Sequence, residues 1–165
     1  MLADIVTYAT KRYKKMAIEP SSPTLNLDRF LPYRLNRLAH NVSVSLAAIY
    51  TDAFGISRSQ WRVMALLGQH QWLTAKQICS MTYMDKVKVS RAVSGLVALN
   101  YLQTTPHETD KRAVLLTLSM EGKELFGSLV PQVQLWEDQF LQRLSTQEIT
   151  HLAIIIDKLD PSHEN

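Results

Sequence analysis

The sequence predicts a mainly α-helical fold that carries one small antiparallel β-hairpin. Three observations lead to that expectation. Apolar residues recur at helical spacing through most of the chain. Three Ser/Thr-x-x-Gln/Glu pairs (Ser57 with Gln60, Thr74 with Gln77, Ser145 with Glu148) mark helix starts, because such a pair satisfies two free N–H groups reciprocally. Between residues 101 and 118 the pattern changes: strand-like runs at 101–105 and 113–118 flank a polar tip, 106–112.

Residues 1–18 are weakly amphipathic, with Lys11, Arg12, Lys14 and Lys15 opposite Ile5, Tyr8 and Tyr13. Residues 19–26 hold Pro20 and Pro23 and read as a linker or extended arm. An N-terminal extension over 1–27 and one domain over 28–165 follow. A first helix is expected over 28–50, with Leu31, Leu35, Leu38, Val42, Leu46 and Ile49 on one face. Phe54-Gly55-Ile56 breaks it. Ser57 opens a second helix, which carries Trp61, Val63, Met64, Leu66 and Leu67 and ends near Gly68.

A short helix starting at Thr74, a turn through Thr82, Tyr83 and Met84, and a helix over 85–99 come next. Val89, Val93, Leu96 and Val97 are expected inward on that last helix, with Lys86, Lys88 and Arg91 outward. Asn100 stands where the chain must turn sharply, and asparagine tolerates a left-handed conformation. With the hairpin that follows, residues 57–118 have the outline of a winged helix-turn-helix. Ser119 caps a long helix to about residue 143, in which Pro131 should cause a kink or a break. A last helix directs Leu152, Ile155, Ile156 and Leu159 inward.

These terminal helices, over about 28–51 and 119–159, carry more apolar surface than a small winged domain covers. A two-fold dimer buries such faces, and it presents two recognition helices about one DNA turn, ~34 Å, apart.

Composition narrows the function. With 46% apolar and 20% charged residues, the chain is globular, not disordered, and no apolar run is long enough to span a bilayer. The first residues lack a signal-peptide pattern, and the single cysteine, Cys79, fits a reducing compartment, so a cytoplasmic location is expected. Cys79 itself is expected as a buried structural thiol. The five histidines show no metal-ligand spacing, and no phosphate loop or nucleophile motif is present. Neither an enzyme nor a cofactor is expected. Residues 1–120 hold 15 Lys/Arg against 7 Asp/Glu, a balance of +8. Residues 121–165 hold 3 against 8, a balance of −5. A basic body with an acidic end points to a polyanion as partner of the body.

A cationic helix beside a cationic hairpin suits double-stranded DNA. Lys86, Val87, Lys88, Ser90 and Arg91 occupy the first turns of the recognition helix, the part that meets base edges. Val87 suits a thymine methyl, and Arg91 a guanine or a phosphate. Asp85 is the expected N-cap. Thr74 and Lys76, at the start of the preceding helix, suit phosphate. At the hairpin tip Arg112 suits the narrow minor groove, Asp110 can direct its guanidinium, and Lys111 suits phosphate.

The chain resembles the MarR/SlyA family of bacterial transcription regulators over residues 28–159. The matching pieces are ISRSQWRVMALL, LTAKQICSM, MDKVKVSRAVSGLVALNYL and ETDKRAVLLTLSMEG; the most specific is Asp110-x-Arg112 followed by Leu-Thr-Leu-Ser and Gly122. The resemblance implies a homodimer on a pseudo-palindromic operator, acting as a repressor released by a small molecule, often an aromatic acid. Departures occur at Val87 and Lys88, where the family often has small hydroxyl residues, and at Asn100, where it usually has glycine.

The opening FLPYRLNRLAHNVS resembles the branch that responds to hydroxycinnamates, which extends the expected effector to an aromatic carboxylate or its CoA thioester. The resemblance implies a pocket between the dimerisation helices and the winged domain, with Tyr33, Arg34, Arg37, His40, Trp61 and Arg62 as candidate effector contacts. A winged helix that binds an acidic protein, without an effector, is the competing expectation.

Overall fold

The computed structural model describes residues 25–106 and 114–160. The N-terminal stretch before residue 25 and the tip residues Asp110, Lys111 and Arg112 lie outside the described residues. The chain divides into two units, Met1–Ala39 and His40–Asn165.

In the first unit a turn at residues 27–29 leads into helix α1, Leu31–Phe54, which continues into the second unit. The turn is closed by the Phe30 N–H donating to the Asn26 carbonyl at 3.0 Å. Helix α1 starts three residues later than the sequence suggests. Pro32, at its second position, lies where no backbone donor is required.

At its other end α1 runs four residues past the expected limit. Gly55 stops it, with a left-handed φ of 65° and its N–H on the Thr51 carbonyl at 2.9 Å. Helix α2, Arg58–Gln69, then starts on the expected capping box: the Ser57 N–H donates to Gln60 Oε1 at 2.8 Å, and the Gln60 N–H to Ser57 Oγ at 3.3 Å.

Strand β1, Leu73–Thr74, helix α3, Ala75–Thr82, and helix α4, Lys86–Ala98, follow. Strands β2, Leu102–Pro106, and β3, Val114–Leu118, then form the hairpin, which leads to helices α5, Met120–Leu141, and α6, Thr146–Leu159. The sheet has three strands in the order β1-β3-β2, all antiparallel. Strand β1 was not expected, because two residues are too short to show alternation. It pairs Leu73 with Leu116, and Thr117 Oγ1 donates to the Gln71 carbonyl at 2.9 Å just before it.

The core of the second unit joins Tyr50, Ile56, Val63, Met64, Ile78, Val89, Leu96, Leu116 and Leu129, all buried. Trp61 stacks between Tyr50, with ring centroids 5.2 Å apart, and Phe126, at 6.0 Å. Gly68 lies so close to Phe126 that a Cβ would overlap the ring. Burial pushes the Tyr50 phenol above its ordinary value, against the lowering charges of Arg58 and Arg62.

Three expectations are corrected. On α4 the buried line is Val89, Ala92 and Leu96; Val93 is half-buried and Val97 is exposed, because residues three and seven positions on share a face and residue eight begins to leave it. Of the kink or break expected at Pro131, the break does not occur: α5 is continuous from Met120 to Leu141. Gln132 Nε2 donates to the Ser128 carbonyl at 3.0 Å, one residue from the Gly127 carbonyl that loses its helical donor to the missing proline N–H. On α6 no residue is buried within the protomer: Leu152, Ile155, Ile156 and Leu159 are all exposed.

Candidate nucleic-acid interface

Helix α3 is set by its N-cap. The Thr74 N–H donates to Gln77 Oε1 at 2.8 Å, and Thr74 Oγ1 both donates to that oxygen at 2.8 Å and accepts from the Gln77 N–H at 3.3 Å. The Thr74 hydroxyl is therefore occupied within the cap. The backbone N–H groups of Ala75 and Lys76, together with the exposed Lys76 side chain, remain at the helix start.

The bend is held from both sides. Thr82 Oγ1 donates to the Ile78 carbonyl at 2.6 Å and accepts from the Met84 N–H at 3.3 Å. Between these two residues Tyr83 adopts the left-handed conformation, φ 54° and ψ 23°, and its side chain is 85% exposed. Met84 is buried. The sequence indicated a turn here but not this conformation, which is uncommon for a bulky residue.

Asp85 caps α4 as expected, accepting from the Lys88 N–H at 2.8 Å. That bond, first, and the Lys88 side chain hold the Asp85 carboxyl below its usual range. Lys88 Nζ stands 3.3 Å from Asp85 Oδ2, so this ammonium is tethered to the cap. Among the described residues no carboxylate lies within ion-pair distance of Lys86 or Arg91.

Helical geometry sorts the first turns of α4. Val87, Ser90 and Arg91 are all exposed and lie opposite the buried line of Val89, Ala92 and Leu96. Val87, an apolar side chain, is 58% exposed. Lys86 and Lys88 flank this face on either side. Ser94, four residues after Ser90, shares the face and is exposed. Sequence reasoning passed over Ser94 because a serine deep in a helix carries no charge or periodicity signal.

The far end of α4 is equally defined. Asn100 has φ 59°; its N–H donates to the Val97 carbonyl at 3.0 Å, and the Tyr101 N–H to the Leu96 carbonyl at 2.9 Å. This pair of bonds ends the helix in a Schellman arrangement, with asparagine where glycine is usual. Strands β2 and β3 extend from there as the stem of the wing, with Pro106 opposite Val114 at its outer limit.

The candidate effector residues are divided between the two units. In the first unit Arg37 pairs with Asp28 at 3.2 Å and lies 5.9 Å over the Tyr33 ring, while Arg34 is exposed. In the second unit Trp61 is part of the aromatic core stack, and His40 and Arg62 are exposed. Cys79 is half-buried against the core, a shallower position than expected. No cluster of His, Cys, Asp or Glu able to hold a metal occurs among the described residues. Nor is any described helix long and apolar enough to cross a membrane.

Comparison with known proteins agrees with this geometry. Residues 54–113 match the model of the MarR family. The HTH-type transcriptional regulator BilQ of Clostridium symbiosum is 26% identical over 110 residues, covering 67% of this chain and 76% of that protein. A MarR/EmrR family transcriptional regulator from Acinetobacter sp. ADP1 superposes with a TM-score of 0.73 at 29% identity, covering 82% of this chain and 95% of that one. BpsR of Bordetella bronchiseptica, whose DNA binding is regulated by 6-hydroxynicotinic acid, superposes with a TM-score of 0.72 at 18% identity, over 82% and 96% of the two chains. Its likeness is one of fold.

The helix-turn-helix, the wing stem and the flanking helices thus occur together in one order, and the family match falls on the helix-turn-helix and most of the wing. Over residues 54–113 the sequence matches the MarR family, and the fold is similar to that of solved MarR-type transcription regulators.

Proposed function

We propose that this regulator acts as a homodimeric repressor on a pseudo-palindromic operator and is released by a small aromatic acid or its CoA thioester. The observation that carries the DNA half is the outward face of α4, where Val87, Ser90 and Arg91 stand clear of the core with Lys86 beside them. Val87 and Arg91 read base edges; Lys86, Lys88 and, from α3, Lys76 hold phosphates. Thr74 acts through its cap, which directs the first N–H groups of α3. On the wing, Arg112 enters the minor groove, oriented by Asp110, and Lys111 touches phosphate; these assignments rest on the sequence and the resemblance.

The dimer is supported by α6, whose apolar residues Leu152, Ile155, Ile156 and Leu159 are exposed and covered by no described residue. The effector class is supported by BpsR, a similar protein regulated by an aromatic acid. Arg34 is the proposed carboxylate contact; the candidate roles of Tyr33, Arg37, His40, Trp61 and Arg62 rest, like that of Arg34, on the sequence and the resemblance.

Duplex DNA from upstream of the chain's own gene provides the test, titrated by fluorescence anisotropy from low to high salt. Specific binding that falls steeply with salt is expected, because each phosphate contact releases counterions. Hydroxycinnamates and their thioesters should raise the Tm of the free protein and lower its affinity for the duplex. Binding without sequence preference, or indifferent to salt, rules the operator reading out. A panel of aromatic acids that leaves the Tm unchanged removes the effector class.

A further inference from the structure

We propose that Tyr83, at the bend of the helix-turn-helix, is a DNA-backbone contact whose phenol hydroxyl donates a hydrogen bond to a phosphate beside the bases met by the first turn of α4. This rests on the DNA-binding reading above and adds to it a residue that neither the sequence pattern nor the resemblance identified.

Three observations point to it. Tyr83 is left-handed, with φ 54°, where a Cβ is crowded by the following carbonyl and glycine or asparagine is preferred. Its side chain is 85% exposed, so the ring gains little packing in return. Its hydroxyl has no hydrogen-bond partner among the described residues. A bulky residue in an unfavourable conformation, with most of its surface exposed, is most simply explained by a contact outside the protomer.

The surroundings specify what that contact is. Thr82 clamps the bend through Ile78 and Met84, and Met84 is buried, so Tyr83 projects from a fixed base two residues before the α4 cap. The cap is Asp85, an anion that repels phosphate. A neutral donor on a long rigid ring reaches past the carboxylate to the DNA backbone. Tyrosine is among the side chains that commonly hold phosphate oxygens.

The test compares Tyr83→Phe, Tyr83→Asn and Lys86→Gln with the wild type, measuring operator affinity across salt and thermal stability. Tyr83→Phe should weaken operator binding by roughly a hundredfold, about tenfold for the charged hydrogen bond lost in each protomer. The slope of log K against log salt should stay unchanged, because a phenol releases no counterion. Lys86→Gln should flatten that slope by about 1.8, the effect of leaving two phosphate charges unneutralised, one per protomer. Tyr83→Asn should also bind weakly, yet melt no lower than the wild type, since asparagine accepts the left-handed bend.

Operator affinity of Tyr83→Phe within twofold of the wild type overturns the proposal. So does a Tm of Tyr83→Asn several degrees below the wild type, which assigns the ring to stability. A wild-type protein that binds no duplex overturns the DNA-binding reading and this contact together. Wild-type binding with a flattened slope in Lys86→Gln and undiminished affinity in Tyr83→Phe removes only the tyrosine assignment.

Discussion

Ser119 Oγ donates a 2.6 Å hydrogen bond to the carbonyl of Asn100, nineteen residues earlier. The same oxygen accepts the Gly122 N–H at 2.9 Å, and the Ser119 N–H donates to the Tyr101 carbonyl at 3.1 Å. One buried side chain therefore caps α5 and holds the residue that terminates the recognition helix. Gly122 completes the joint by closeness: a Cβ there would overlap the Tyr101 carbonyl oxygen. The start of α5 cannot turn without breaking these bonds or carrying the end of α4 with it.

Replacing Ser119 by alanine should cost about 1–3 kcal/mol, from the missing cap and the unsatisfied Asn100 carbonyl. Gly122→Ala should cost more, because backbone opposes the added methyl and cannot swing aside as a side chain does. Urea denaturation of both variants checks the order. A Gly122→Ala protein as stable as the wild type would show that the joint is loose.

Asn100→Gly should leave stability equal or higher by up to about 1 kcal/mol, since glycine occupies φ 59° without a steric penalty. Asn100→Ala should lose about 1 kcal/mol at the same site. Paired thermal melts read the difference. If alanine and glycine behave alike, the left-handed conformation of Asn100 is not what ends α4.

Asp85 gives a pH dependence with a definite sign. Its folded pKa is lowered by the Lys88 N–H and ammonium, so its stabilising effect is present in full above the ordinary aspartate range. It fades as pH falls through the lowered folded value. Glu148, lowered by the Ser145 N–H and hydroxyl, acts in the same direction on α6. Asp85→Asn keeps a capping oxygen but loses the titration, so the wild-type advantage over it should shrink on acidification from neutral pH and disappear once Asp85 is protonated. Urea midpoints of the two proteins from pH 7 downward test this; an advantage that grows in acid contradicts the assignment.

Ile156→Glu places a charge on the uncovered apolar face of α6. Because Ile156 touches little within the protomer, helical content should be retained. Sedimentation should nevertheless show a shift from dimer to monomer, and operator affinity should fall by orders of magnitude as the two recognition helices separate. An Ile156→Glu protein that sediments as a dimer would move the interface elsewhere.

Local chemistry was legible in the linear chain wherever one short segment contains all the partners. The three capping boxes, the Asp85 cap, the left-handed Asn100 and the hairpin strands each depend on residues within a few positions, and the folded chain bears them out. The basic, outward start of α4 was visible for the same reason: charge and periodicity are local properties. Other features required distant partners. Strand β1 exists because Leu116 pairs with it, and Trp61 is a core residue because Tyr50 and Phe126 enclose it. The rotation of α4 that buries Ala92 and exposes Val97 was set by packing against its neighbours, to which periodicity is blind by a residue or so. Tyr83 belongs to this second group in one respect: its bend follows from the burial of Met84 in a core assembled from distant segments. Which segments coil, where they begin and where positive charge collects are written in the linear order of residues. Which face of each element meets the core is settled only on folding, because side chains far apart in the chain compete for the same buried volume.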